Sequence, residues 1–124
     1  VGTGNKVEDF GIGFFTKYGD GGVDISPIAD LLKSEVYSLA KELDIDHDII
    51  EAQPTDGLWQ DEKTDEDQIG ATYTELEWAM SFKGSQKSLL KREKEVLKIY
   101  NSFNTRNQHK MTKIPVCVIP KNLK

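Results

Sequence analysis

One cysteine, two histidines and four prolines are all that this 124-residue chain contains of those residues, and each shortage excludes something. Cys117 has no second thiol to pair with, so an internal disulfide is ruled out. With only His47 and His109 beside it, a structural zinc site of the Cys/His kind is close to excluded. The apolar setting of Cys117, between Val116 and Val118, suits packing better than nucleophilic attack. No apolar run approaches the roughly 18 residues of a membrane span, and no basic-then-apolar leader is present, so the cytoplasm is the expected compartment. H-E-x-x-H, G-x-S-x-G and a complete P-loop are missing, which leaves hydrolase chemistry without support.

What is present describes an ordinary globular composition: 37% hydrophobic and 30% charged residues, with 10 glycines. A compact body of this mass is expected to show roughly 7,000 Å² of surface. The net charge of −5 hides an asymmetry. Residues 1–85 carry −13 and residues 86–124 carry +8. The acidic block from Glu42 to Asp67 reads as a solvated stretch. The basic third suits phosphates or other anions, and a nucleic-acid- or partner-binding module is the alternative function it suggests. Against that alternative, Tyr100 and Phe103 fall on the apolar stripe of their helix rather than between the lysines, where stacking on bases would need them.

Along the chain, Val1 to Lys6 reads as a strand opening into a glycine-rich turn. Ser26-Pro27 is a helix start, and the apolar spacing from Ile28 to Leu43 continues it. Asp46 caps a short helix through Ile50, and Thr64 opens another. Thr74-Glu75-Leu76-Glu77 has capping-box spacing. The stripe from Leu89 to Phe103 predicts a helix from about Ser85 to Asn101. Val116–Ile119, fenced by Pro115 and Pro120, reads as a strand.

Helices with a single apolar stripe need a flat surface to cover. The expected fold is therefore α/β: the C-terminal portion of a Rossmann-like open parallel-sheet domain. A chain beginning at Val1, with methionine only at positions 80 and 111, fits an excerpt of that kind. Thr3, Lys6, Glu8, Lys17, Asp20, Asp24 and Lys33 then gather at the sheet edge where nucleotides bind. Lysines there neutralise phosphates, and a carboxylate such as Glu8 suits magnesium carried by a triphosphate.

Taken together, Gly2-Thr3-Gly4-Asn5-Lys6-Val7-Glu8, the block Gly13-Phe14-Phe15-Thr16-Lys17-Tyr18-Gly19-Asp20-Gly21-Gly22-Val23-Asp24, and Pro27 with Lys33 resemble the ammonia-dependent NAD synthetase family. The resemblance continues in order through Pro54-Thr55, Thr64-Asp65-Glu66, Ile69-Gly70, Tyr73 and His109-Lys110. It implies a fold of the ATP-pyrophosphatase type and an enzyme that adenylates deamido-NAD with ATP before ammonia attacks to give NAD and AMP. It also implies ATP contacts at Thr3, Lys33 and Thr55, a magnesium ligand at Glu8, and deamido-NAD contacts at Lys17, Asp24, His109 and Lys110. A homodimer is implied as well. This chain departs from the family pattern at Asp56-Gly57 and at Met111. The family's S-G-G-x-D-S pyrophosphatase loop belongs to an N-terminal half, so residues 1–124 are expected to be the C-terminal part of one synthetase domain, inactive alone. The acidic loop from Asp56 to Thr64 is an expected lid.

Overall fold

A computed structural model describes residues 1–55 and 63–124. The expected lid falls mainly on 56–62 and so lies outside the described residues; Thr64, its last residue, is a helix cap. The architecture is helical, with no strand among the described residues. Both stretches read as strands, Val1 and Val116–Ile119, are without ladder pairing here. The described residues thus supply helices of the expected α/β fold and no sheet. The physical reason is that a strand needs a neighbour for its backbone groups, and none of these segments supplies one.

A seven-residue π-helix, Lys6–Ile12, comes first. Asn5, 2% exposed, starts it by accepting from the N–H groups of Val7 and Glu8. Among the described residues five α-helices follow: α1 (Lys33–Glu42), α2 (His47–Glu51), α3 (Asp65–Ile69), α4 (Tyr73–Ser81) and α5 (Lys91–Met111). The caps expected at Asp46 and Thr64 are where the sequence places them.

Three boundaries differ from expectation. After Ser26-Pro27 the chain makes only turns; Leu32 is extended, and α1 begins at Lys33. The carbonyl of Leu31 accepts from the Lys6 N–H at 2.8 Å, a tertiary bond that takes the place of a continuing helix. The capping box of α4 belongs to Thr72 and Glu75 rather than to Thr74 and Glu77. Ser85 caps only the short turn Gln86–Ser88, while α5 starts after Leu90 and runs ten residues past Asn101. Beyond Phe103 that extension packs through polar side chains, which a hydrophobic stripe does not reveal.

The core lies where α4, α5 and the π-helix meet. Leu76, Val7 and Ile12 are fully buried there, and Val96, Leu97, Ile69 and Tyr73 nearly so. Burying a side chain such as Leu76 is worth about 1.5–3 kcal/mol. Around this centre Phe14 meets Phe103 edge-on at 6.4 Å, and Trp78 tilts against Phe82 at 5.3 Å. The exposed surface is 9343 Å², about a third above the area expected for a compact body of this mass. Ile114, Val116, Val118, Ile119, Leu43 and Ile49 contribute exposed apolar area to it.

Candidate functional site

The turn into the π-helix brings Glu8 toward the first residue of α1. Lys33 Nζ donates to Glu8 Oε1 at 2.8 Å, and their side chains are only 18% and 15% exposed. Asn5 Nδ2 donates to the other oxygen, Oε2. The same ammonium lies 4.6 Å from the centre of the Tyr73 ring, a cation–π contact on its second side. Because α1 begins at Lys33 itself, the side chain reaches the site directly from the helix start. Tyr73 Oη donates toward Asp65 Oδ2 at 3.2 Å. Burial, with the carboxylates of Glu8 and Asp65 alongside, holds the Tyr73 phenol well above its ordinary range, so it stays a neutral donor.

Around this pair opens a cleft of about 340 Å³ that brings together Thr3, Glu8, Lys33 and Thr55, the expected ATP and magnesium residues. Asp9 and Asp20 line it too. Thr55 Oγ1 lies 3.3 Å from the Lys63 carbonyl, to which it donates. A second cleft of about 390 Å³ holds Lys17, Asp24 and Lys110, again with Asp9 and Asp20 in its wall. These two carboxylates therefore border both hollows.

Asp9 is half-buried, and desolvation, then the nearby charges of Glu8 and Asp20, push its carboxyl up to about 6. Its carboxylate packs against Gly4, where an added Cβ would lie 2.0 Å from Oδ2. A side chain at position 4 would displace the Asp9 carboxylate. Among the described residues there is no group of three or more His, Cys, Asp or Glu side chains suited to holding a metal ion.

His109 stands apart from the other expected dinucleotide residues. Its ring Nδ1 is 3.2 Å from the Arg106 carbonyl, and it is absent from the lining of the second cleft. Its backbone carbonyl takes the Lys17 ammonium. Lys110, which lines the cleft, donates from Nζ to the carbonyls of Gly13 and Phe15 at 2.9 and 2.7 Å. Sequence reasoning gave no role to Asn5, Asp9, Tyr73, Asn104 or Asn107. For Asn5 a signal existed: an Asn three residues before an acid has capping spacing. For Asp9 and Tyr73 the pairing runs between elements distant in sequence, and no local pattern announces it.

Comparison with known proteins places the chain in a family. A profile of the NAD synthase family matches residues 1–114. The NH(3)-dependent NAD(+) synthetase of Syntrophomonas wolfei is 40% identical over 125 aligned positions, which cover 100% of this chain and 46% of that protein. The synthetase of the same description from Methanococcoides burtonii is 52% identical over 77 residues, 62% of this chain and 28% of its own length. Among solved structures, the NMN synthetase from Francisella tularensis superposes with a TM-score of 0.76 at 35% identity, covering 97% of this chain and 45% of that one. The chain thus spans less than half the length of these relatives. Matched along nearly its whole length by profile, sequence and structure alike, it belongs to the NAD synthase family.

Proposed function

We propose that this chain forms the dinucleotide-accepting half of an enzyme that converts deamido-NAD, ATP and ammonia into NAD, AMP and pyrophosphate. The observation that carries the reading is the pair of adjoining clefts: one holds Thr3, Glu8, Lys33 and Thr55, the other Lys17, Asp24 and Lys110. In the first, Lys33 offers an ammonium to the ATP phosphates, and the hydroxyls of Thr3 and Thr55 offer polar contacts to the nucleotide. In the second, Lys17 and Lys110 face the dinucleotide's phosphates and nicotinate carboxylate, and Asp24 accepts from its hydroxyls; His109, beside Lys110, is retained as a contact through its ring.

The nicotinate carboxylate oxygen attacks the α-phosphorus of ATP, and pyrophosphate leaves. Ammonia then adds to the activated carbonyl carbon, AMP departs with the bonding pair, and ammonia's surplus proton is lost. Positive charge fixed near the transferring phosphoryl group before reaction is commonly the largest catalytic contribution. Lys33 fits that role because its partners hold it in place without requiring rearrangement.

The residues present fit magnesium in one way. A single carboxylate, Glu8, suits an ion that takes one or two protein oxygens and the rest from substrate phosphates. When bound, the ion supplies charge neutralisation for the triphosphate. Glu8 is already oriented for it by Lys33 and Asn5.

The relatives' greater length supports the wider reading that a parallel sheet and the pyrophosphatase loop are supplied by further residues of the family fold and that residues 1–124 are inactive without them. The same reading takes the complete enzyme as a cytoplasmic homodimer. No helix among the described residues is long and apolar enough to cross a membrane. The test is an assay for NAD with ATP, deamido-NAD, ammonium and magnesium. The chain alone is expected to give no NAD, and the chain combined with the N-terminal half of a relative is expected to give it. NAD formed by the chain alone would contradict the division of labour, and no NAD from a well-folded combination would contradict the function.

A further inference from the structure

Three side chains on one face of α5 meet successive carbonyls where the π-helix ends. Asn104 Nδ2 donates to the Gly11 carbonyl at 2.7 Å and Asn107 Nδ2 to the Ile12 carbonyl at 2.7 Å. Lys110 Nζ reaches the carbonyls of Gly13 and Phe15. The spacing i, i+3, i+6 aligns these donors along one stripe of a helix. The carbonyls they meet belong to a helix end, where intrahelical donors run out.

The fit leaves little slack. Asn107 is 6% exposed, and Gly13, at φ 61°, would bring an added Cβ within 2.6 Å of the Asn107 Cβ. Gln108 Nε2 donates to Asn104 Oδ1 at 2.8 Å, which turns the Asn104 amide so that its NH₂ faces Gly11. Lys17 Nζ, donating to the His109 carbonyl, ties the far side of the loop back to the same end of α5.

We propose that Asn104 and Asn107, with Lys110 as the last rung, are positioning residues that fix the register in which the chain leaves the π-helix, and so set the placement of Lys17, Asp20 and Asp24 around the second cleft. A one-residue slip of the chain from Gly11 to Asp24 would break all the rungs at once, so the ladder selects a single loop placement. The effect on substrate rests on the reading above that this cleft takes deamido-NAD; the effect on the loop does not.

The test uses the full 124-residue chain and residue-resolved amide exchange, comparing the unchanged chain with Asn107→Ala, Asn104→Ala and, as a control on the exposed side of α5, Asn101→Ala. The informative amides are those of Phe14, Thr16, Gly19, Gly21 and Gly22, each hydrogen-bonded within this segment or to the Glu8 carbonyl. Removing one rung is expected to speed their exchange about tenfold, while Leu76 and Val96 in the core keep their rates and Asn101→Ala changes nothing. Loop exchange unchanged in both rung variants would overturn the proposal, as would a rise shared equally by Leu76 and Val96. If Asn107→Ala does not fold, Asn104→Ala carries the same readout from the less buried rung.

Deamido-NAD binding to the same samples tests the second part, with about tenfold weaker binding expected for Asn107→Ala. Equal binding despite a loosened loop would remove the ladder from substrate recognition. Failure of the unchanged chain to bind deamido-NAD would count against the functional reading, and the exchange rates alone would then decide the ladder.

Discussion

Lys33 answers to three groups at once: the Glu8 carboxylate, the face of Tyr73 and, in the proposed reaction, the phosphates of ATP. Lys33→Ala is expected to weaken ATP binding at least about tenfold, as loss of one charge-assisted contact implies. Lys33→Arg is expected to restore little, because a planar fork does not replace a compact ammonium seated on a ring. Calorimetric titration with ATP and magnesium checks both. Gly13 makes a separate demand: its left-handed φ of 61° and the nearby Asn107 leave no room for a side chain. Gly13→Ala is expected to cost about 1–3 kcal/mol in denaturant unfolding. The two residues differed in legibility. Lys33 was visible through family resemblance, but Gly13's constraint comes from a residue 94 positions away, and Asn107 lies beyond the helix the sequence predicts, which ends at about Asn101.

At the scale of elements, side chains near each helix start decide where it begins. Thr72 Oγ accepts from Glu75 N–H at 3.2 Å, and Glu75 Oε2 accepts from Thr72 N–H at 2.9 Å. Thr72→Ala is expected to lower stability by about 1 kcal/mol, read from the unfolding midpoint. Glu75 also joins α4 to α5, accepting from Arg92 Nε and Nη2, both at 2.7 Å. Those bonds, followed by the backbone contribution of Thr72, hold its carboxyl at about 2 against an ordinary 4.5. A carboxyl lowered on folding stabilises the protein above its unfolded value and stops doing so as pH falls. This contribution is therefore whole above about pH 4.5 and gone below about pH 2. With Arg92 48% exposed, solvent screening keeps it small, and Glu75→Gln is expected to flatten that part of an acid unfolding curve. Helices capped by their own neighbours, α2 and α3, were legible from sequence. The start of α1 and the end of α5 were not, because the Lys6–Leu31 bond and the asparagine rungs are tertiary and polar.

For the whole molecule, a small core supports a large surface. Leu76, fully buried between α4, α5 and the π-helix, is expected to cost about 2–5 kcal/mol when cut to alanine, a large part of a domain's usual 5–15 kcal/mol. The sheet expected from apolar periodicity is missing among the described residues because its pairing partners are too, whereas the order of site residues along the chain was legible and four of them meet in one cleft. Charge asymmetry leaves a rival location for phosphate: the groove of α5 lined by Lys94, Lys98 and Arg106, none of which lines the Lys33 cleft. A residue-resolved NMR titration of the chain with ATP and magnesium separates the two most directly. The expected result is saturable shifts at Thr3, Glu8, Lys33 and Thr55. Shifts confined to Lys94, Lys98 and Arg106, fading as salt is raised, would contradict the account and make the basic helix the anion-binding surface.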